Sequence, residues 1–174
     1  MESVEVSNLW ISAKAVEAIV EEANQSVPYE SGGMLFGYLN VEKKAVVVNV
    51  ASIPGLKAKR KRHSYSPDQQ YDVTIAAEMY NTSSAYLQYL GDWHSHSAFA
   101  PMMSLRDKWV LRKIACHKSA RIDNPIMMII GNLPDFKIAG WIWKQKKGRI
   151  FISDIIEDLK IKTFSRTNMD NTDG

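Results

Sequence analysis

The chain has 174 residues, of which 45% are hydrophobic and 24% charged, and its formal net charge is +3. That is the length of one domain with enough chain for a sizeable core, and the charge is too weak to argue for nucleic acid by itself. A single cysteine excludes an internal disulfide framework and fits a reducing compartment. No apolar run approaches the roughly 20 residues of a membrane span, and the opening MESVEVSNLW lacks the basic and apolar regions of a signal peptide, so the expected location is the cytoplasm.

Val4 to Ile11 reads as a first strand. Ser12 is the expected N-cap of an amphipathic helix over 13–24, whose apolar residues Ala15, Val16, Ile19, Val20 and Ala23 fall at helical spacing. After a loop containing Pro28, Glu30 enters a glycine-broken apolar strand ending near Tyr38. Residues 39–44 make a hairpin turn to a valine-rich strand over 45–53. Lys57, Lys59, Arg60, Lys61 and Arg62 crowd a charged segment over 54–63, which reads as a solvated loop or as a surface for an acidic partner. Ser66-Pro67-Asp68 predicts a cap with proline at the first helical position, opening a helix over 67–81 that buries Tyr71, Ile75 and Met79.

The strand over 85–96 carries the densest chemistry. His94 and His96 lie at i and i+2, on one face of a strand. The loop from Ser97 to Met103 turns the chain, Ser104 caps the next helix, and Asp107 falls in that helix's first turn. A strand end and a helix start can thus bring two imidazoles and a carboxylate to one point, the ligand set of a catalytic zinc with an open position for water. Such a hydrolase also needs a general base, expected to be a second carboxylate, and an oxyanion donor, which the Ser104 hydroxyl can supply. Each feature also has a plainer reading: hydrogen-bonded strand histidines, a capping box from Ser104 to Asp107, or a solvated carboxylate at Glu30. The helix is expected to run to about Lys118, burying Leu111, Ile114 and Ala115, with Cys116 as a core thiol. Strands follow over 126–131, 136–143 and 149–153, then a short helix or extended arm over 155–162. Trp141 and Trp143 lie on the opposite strand face from Ile142. Residues 1–162 are expected to form a single domain, and residues 163–174, ending RTNMDNTDG, a disordered tail.

Glu30 in ESGGMLFG, with His94, His96, Ser104 and Asp107 in HSHSAFAPMMSLRD, resembles the JAMM motif of the MPN/JAB domain family, zinc isopeptidases that cut ubiquitin-like proteins from their targets. The resemblance covers about residues 5–153. It implies an α/β MPN (JAB) fold with a central mixed, mostly antiparallel sheet flanked by helices. It also implies one catalytic zinc held by His94, His96 and Asp107, with Glu30 as general base and Ser104 stabilising the oxyanion. The family's prolines after the second histidine and before the serine are replaced by Ser97 and Met103, which alters loop stiffness and removes no ligand. Compact size and the string YLGDWHSH resemble stand-alone bacterial members, often encoded beside ubiquitin-activating and ubiquitin-conjugating homologues in antiviral operons.

The resemblance implies a substrate that is a ubiquitin-like protein joined through its C-terminus to a target. A peptidase trimming a small sulfur-carrier protein is the second enzyme reading, and a non-catalytic MPN scaffold, which would usually lack the metal ligands, is the third. A DNA-associated role would draw on the basic segment, but the HNHPSG signature of that related family is absent. The segment over 54–65 is expected to border the substrate-tail groove.

Overall fold

The structure is a computed structural model that describes residues 6–97, 99–117, 120–131, 133–147 and 152–165. Strand β1 (Asn8–Ser12) runs directly into helix α1 (Ala13–Ser26). Ser12 closes the strand and caps the helix, its Oγ accepting the Ala15 N–H at 3.1 Å. Strands β2 (Gly32–Asn40) and β3 (Ala45–Ala51) form a hairpin, and β4 (Lys59–Lys61) and β5 (Ser64–Ser66) form a second, smaller one. Helix α2 (Gln69–Thr82), strand β6 (Gln88–His96) and helix α3 (Leu105–Cys116) follow. Strands β7 (Ile126–Gly131), β8 (Lys137–Lys147), β9 (Ile152–Asp158) and β10 (Lys160–Phe164) complete the order.

All strands except β4 and β5 join one eight-stranded sheet, in the order β10-β1-β3-β2-β6-β7-β8-β9. It is mixed: β2 pairs antiparallel with β3 and β6, and β8 with β7 and β9, while β1–β3, β1–β10 and β6–β7 are parallel. The chain passes from β9 at one end of the sheet to β10 at the other through the buried Leu159. Leu159 N–H donates to Gly140 O at 2.8 Å and Lys160 N–H to Ser7 O at 3.0 Å, so the sheet curls until its ends meet.

Side-chain alternation divides the sheet into two packed faces. Along β7, Ile126, Met128 and Ile130 join Leu9, Ile11, Leu35 and Trp93 against Ala15, Ile19 and Ala23 of α1. Met127 and Ile129 point the other way, to Leu111 of α3 and Trp143 of β8. Trp141 packs beside Trp143 and Ile142 joins the opposite core, as alternation requires.

Several expectations are corrected. Helix α2 starts at Gln69 and is capped by Asp68, whose carboxylate accepts the Tyr71 N–H at 3.3 Å; Ser66 belongs to β5 and Pro67 precedes the cap. Tyr71, Ile75 and Met79 are only half-buried, and no residue of α2 is fully buried. Of the two readings for residues 155–162, a short helix or an extended arm, the extended one holds: they complete β9 and open β10, each satisfying its backbone on a neighbouring strand. Strand β10 runs to Phe164, two residues past the expected domain limit, and residues 166–174 of the expected tail lie outside the described residues. Residues 4–5 of the first expected strand and Lys118 also lie outside them. Cys116 is exposed, since it ends α3 beyond the turn that buries Leu111. The charged segment is not wholly loop, because Lys59–Lys61 is the first strand of the small hairpin.

Candidate metal centre

Strand alternation builds the site. Asp92, His94 and His96 project from one face of β6, and Trp93 and Ser95 from the other. Trp93 is 1% exposed and donates from its indole to Ser52 O at 2.9 Å, which fixes the strand beneath the histidines. Strand β2 lies close beside it: a Cβ on Gly33 would come within 2.2 Å of Ser52 O and 2.9 Å of the Trp93 indole nitrogen. Gly32 pairs with His94, Ser31 N–H donates to Ser95 Oγ at 2.9 Å, and Ser95 N–H donates to Ser31 O at 2.8 Å. Continued one residue further, that antiparallel register sets Glu30 opposite His96, on the side of the sheet that carries both imidazoles.

Asp107 arrives from α3. Ser104 and Asp107 form a reciprocal capping box, as the spacing allowed. Asp107 N–H donates to Ser104 Oγ at 3.2 Å, while Asp107 Oδ2 accepts the Ser104 N–H at 2.8 Å and the Ser104 hydroxyl at 2.6 Å. Oδ2 is therefore engaged within its own helix turn, and Oδ1 faces His94 Nε2 at 3.3 Å. Ser97, at a position where the resemblance expects proline, donates to Pro28 O at 2.9 Å and ties the loop after His96 to the loop before Glu30.

Among the described residues, His94, His96 and Asp107 place one ligand atom each within 4.8 Å of the others. Their side chains are 12%, 13% and 12% exposed. A tetrahedral ion about 2.0–2.2 Å from its nitrogen and oxygen donors would set those donors about 3.3–3.5 Å apart. The observed separations are 3.1 Å between the two Nε2 atoms, 3.3 Å from His94 Nε2 to Asp107 Oδ1, and 3.8 Å from His96 Nε2 to Asp107 Oδ2. Two ring nitrogens and a carboxylate turned toward one point suit a cation, so the residues present fit a divalent metal.

The electrostatics suit the same use. Burial raises the Asp107 carboxyl, but hydrogen bonding and charge from His94, with the Ser104 hydroxyl and amide, outweigh it and hold the group well below the usual carboxylate range. Burial, then the neighbouring His94, lowers His96, which keeps its ring neutral and its lone pair available. Glu30 is raised, chiefly by burial, with Asp107 adding to the effect and His94, His63 and Arg106 opposing it.

Glu30, His94, His96, Ser104 and Asp107 line one cavity of about 590 Å³, so all five candidate residues meet there. His63, Ser64 and Tyr65 of the small hairpin also line it, so the charged segment does border the site. The Arg60 side chain, though partly exposed, reaches across to Glu22 at 2.9 Å, which sets it apart from the lysines on either side of it.

Sequence reasoning missed the polar end of the cavity. Asp72, Asp92 and Tyr65 line it; Tyr89 OH donates to Asp92 Oδ1 at 2.8 Å, whereas Asp72 Oδ1 and the Tyr65 hydroxyl are buried without a hydrogen-bond partner among the described residues. Burial pushes both carboxyls up to about 6. Asp92 was readable in principle, since it stands two residues before His94 and must share its face.

The family model for prokaryotic homologues of the JAB domain matches residues 12–145. A protein of Sinorhizobium fredii described as "Probable metalloprotease y4qB" is 31% identical over 128 residues, spanning 73% of this chain and 77% of that one. The solution structure of protein DSY2949 from Desulfitobacterium hafniense superposes with a TM-score of 0.66 at 18% identity, over 92% of this chain and 95% of that one, a likeness of fold.

Proposed function

We propose that this chain, which belongs to the prokaryotic homologues of the JAB domain, is a zinc-dependent peptidase or isopeptidase. Its substrate is a ubiquitin-like protein joined through its C-terminus to a target. The observation that carries the reading is the convergence of His94, His96 and Asp107 with Glu30 on one cavity. The metalloprotease description of the Sinorhizobium relative supports the same chemistry.

His94, His96 and Asp107 would hold the ion. When bound, zinc supplies Lewis acidity to the scissile carbonyl and acidity to water. The rest falls to the chain. Glu30, made more basic by burial, accepts a proton from the attacking water and returns it to the leaving amine. Ser104 can donate its hydroxyl to the developing oxyanion once that proton leaves Asp107 Oδ2, to which it is directed in this structure.

The substrate tail must lie extended to bring a carbonyl to this point, and the small hairpin beside Glu30 supplies one wall for it. Conjugation-enzyme homologues would produce such a substrate. The test is cleavage of a ubiquitin-like domain fused through its C-terminus, by a peptide or a lysine isopeptide bond, to a reporter, compared with a sulfur-carrier fusion and with an unstructured peptide. Preference for the ubiquitin-like conjugate supports the reading. Preference for the sulfur-carrier fusion favours the trimming alternative, and no cleavage of any with zinc present favours a scaffold.

A further inference from the structure

The small hairpin does more than wall the cavity. Glu30 N–H donates to Lys61 O at 2.8 Å, so the backbone of the glutamate is bonded to strand β4. The neighbouring Arg60 bridges two elements: its Nε donates to Ser31 Oγ at 3.2 Å and its Nη2 to Glu22 Oε1 at 2.9 Å. Glu22 Oε1, on α1, also accepts the Ser31 hydroxyl at 2.6 Å and the Ser26 hydroxyl at 2.9 Å. Ser31 is 0% exposed, follows Glu30 directly, and its amide and carbonyl are tied to Ser95, between the two histidines.

One arginine thus links α1, the small hairpin and the strand that delivers Glu30. We propose that Arg60 is a positioning residue for Glu30, acting through Ser31 and Glu22; the inference rests on the hydrolase reading above. Among the described residues, the Lys61 carbonyl is the backbone contact that holds β4 to Glu30; without the Arg60 side chain beside it the Glu30 segment is less firmly held. A planar guanidinium can send Nε and Nη donors to two acceptors at once, and a lysine ammonium cannot reproduce that fork. The relevant property of Arg60 is therefore its shape as well as its charge.

The experiment uses full-length, zinc-loaded protein with Arg60→Ala, Arg60→Lys, Glu30→Gln and the Arg60→Ala/Glu30→Gln double variant. Arg60→Ala should lower kcat roughly 10–100-fold, as misplacement of a catalytic group does, with KM and zinc content unchanged. Arg60→Lys should recover only part of that loss. In the Glu30→Gln background, Arg60→Ala should change the rate less than about 2-fold, because a residue that acts through Glu30 has nothing left to position. Amide hydrogen exchange, which needs no substrate, should quicken at Glu30 and Ser31 in Arg60→Ala and stay unchanged along β7 and β8. Full rescue by Arg60→Lys, multiplicative losses in the double variant, a change in KM alone, or unaltered exchange at Glu30 and Ser31 would each overturn the proposal. If Arg60→Ala does not fold, Arg60→Lys carries the kinetic and exchange comparisons. If the wild type cleaves nothing, the hydrolase reading fails by itself, and the exchange result still decides whether Arg60 holds the Glu30 segment.

Discussion

Ser104 Oγ donates to Asp107 Oδ2 at 2.6 Å while Asp107 N–H donates back to Ser104 Oγ at 3.2 Å. The same pair closes the first turn of α3 and turns Asp107 Oδ1 toward His94. A helix cap and the hydrogen-bonded support of a proposed metal ligand are thus one interaction, and the residue proposed for the oxyanion is also the one that braces that carboxylate.

Ser104→Ala should therefore show three losses together. Stability should fall by about 1 kcal/mol, as for a lost N-cap. Metal affinity should fall by roughly 10–100-fold, the usual effect of removing a ligand's hydrogen-bond partner. The rate at saturating zinc should fall by about 10²–10³, the share of one oxyanion donor. Thermal melts, metal competition and kcat at high zinc measure them separately. A variant with wild-type kcat once zinc is saturating would confine Ser104 to support of Asp107.

Glu30→Gln keeps the shape and removes the proton acceptor. Zinc content should persist while kcat falls by roughly 10²–10⁴. Because burial raises the Glu30 carboxyl, the wild-type rate should begin to fall on acidification at a pH above the ordinary glutamate range, and the residual rate of Glu30→Gln should lack that limb. A pH profile of kcat/KM read at constant zinc occupancy checks this.

The polar end of the cavity makes a prediction about stability. Asp92 has a folded pKa pushed up to about 6, against an ordinary value near 3.9 in an unfolded chain. Between those values the folded state binds the extra proton, so its stability falls as pH rises through that window and the full cost is present at pH 7. Asp92→Asn removes the charge and keeps an oxygen for the Tyr89 hydroxyl. It should raise stability by about 1–3 kcal/mol at pH 7 and by little near pH 4. Denaturant unfolding of metal-free protein at the two pH values measures the difference; a variant less stable than wild type at pH 7 would give the Asp92 charge a supporting role.

Lys59 and Lys61 are exposed on β4 beside the cavity wall, whereas Arg60 is engaged with Glu22. If the hairpin meets an acidic substrate surface, reversing Lys59 and Lys61 to glutamate should raise KM, leave kcat unchanged, and make KM less sensitive to added salt than in the wild type. An unchanged KM at low salt would make these lysines part of a solvated face.

What the sequence disclosed and what it hid follow from the range of the interactions. His94 and His96 share a strand face through period-two alternation, and Ser104 and Asp107 share a helix turn, so local spacing placed each pair. Glu30 lies 64 residues from His94, and only the register between β2 and β6 brings it to the site; its expected role came from resemblance to a motif. The Arg60 clamp was hidden for the same reason: Arg60 and Glu22 are 38 residues apart, and among five clustered basic residues no local pattern marks the one that pairs with α1. Strand β10 was ambiguous because KIKTF pairs with β1, at the far end of the chain. The α2 cap was misplaced because Ser66 and Asp68 are both good caps, and only the hairpin pairing of Ser66 with Lys59 decides between them.

If His94, His96 and Asp107 hold one zinc ion on which Glu30-assisted hydrolysis depends, cleavage must come and go with the metal. Purified protein should carry about one equivalent of zinc, lose cleavage of a ubiquitin-like conjugate on chelation, and regain it when zinc is returned. His94→Ala and Asp107→Asn should each lose both the metal and the activity. Metal-free protein that cleaves the conjugate at the full rate would rule out zinc-dependent hydrolysis at this site.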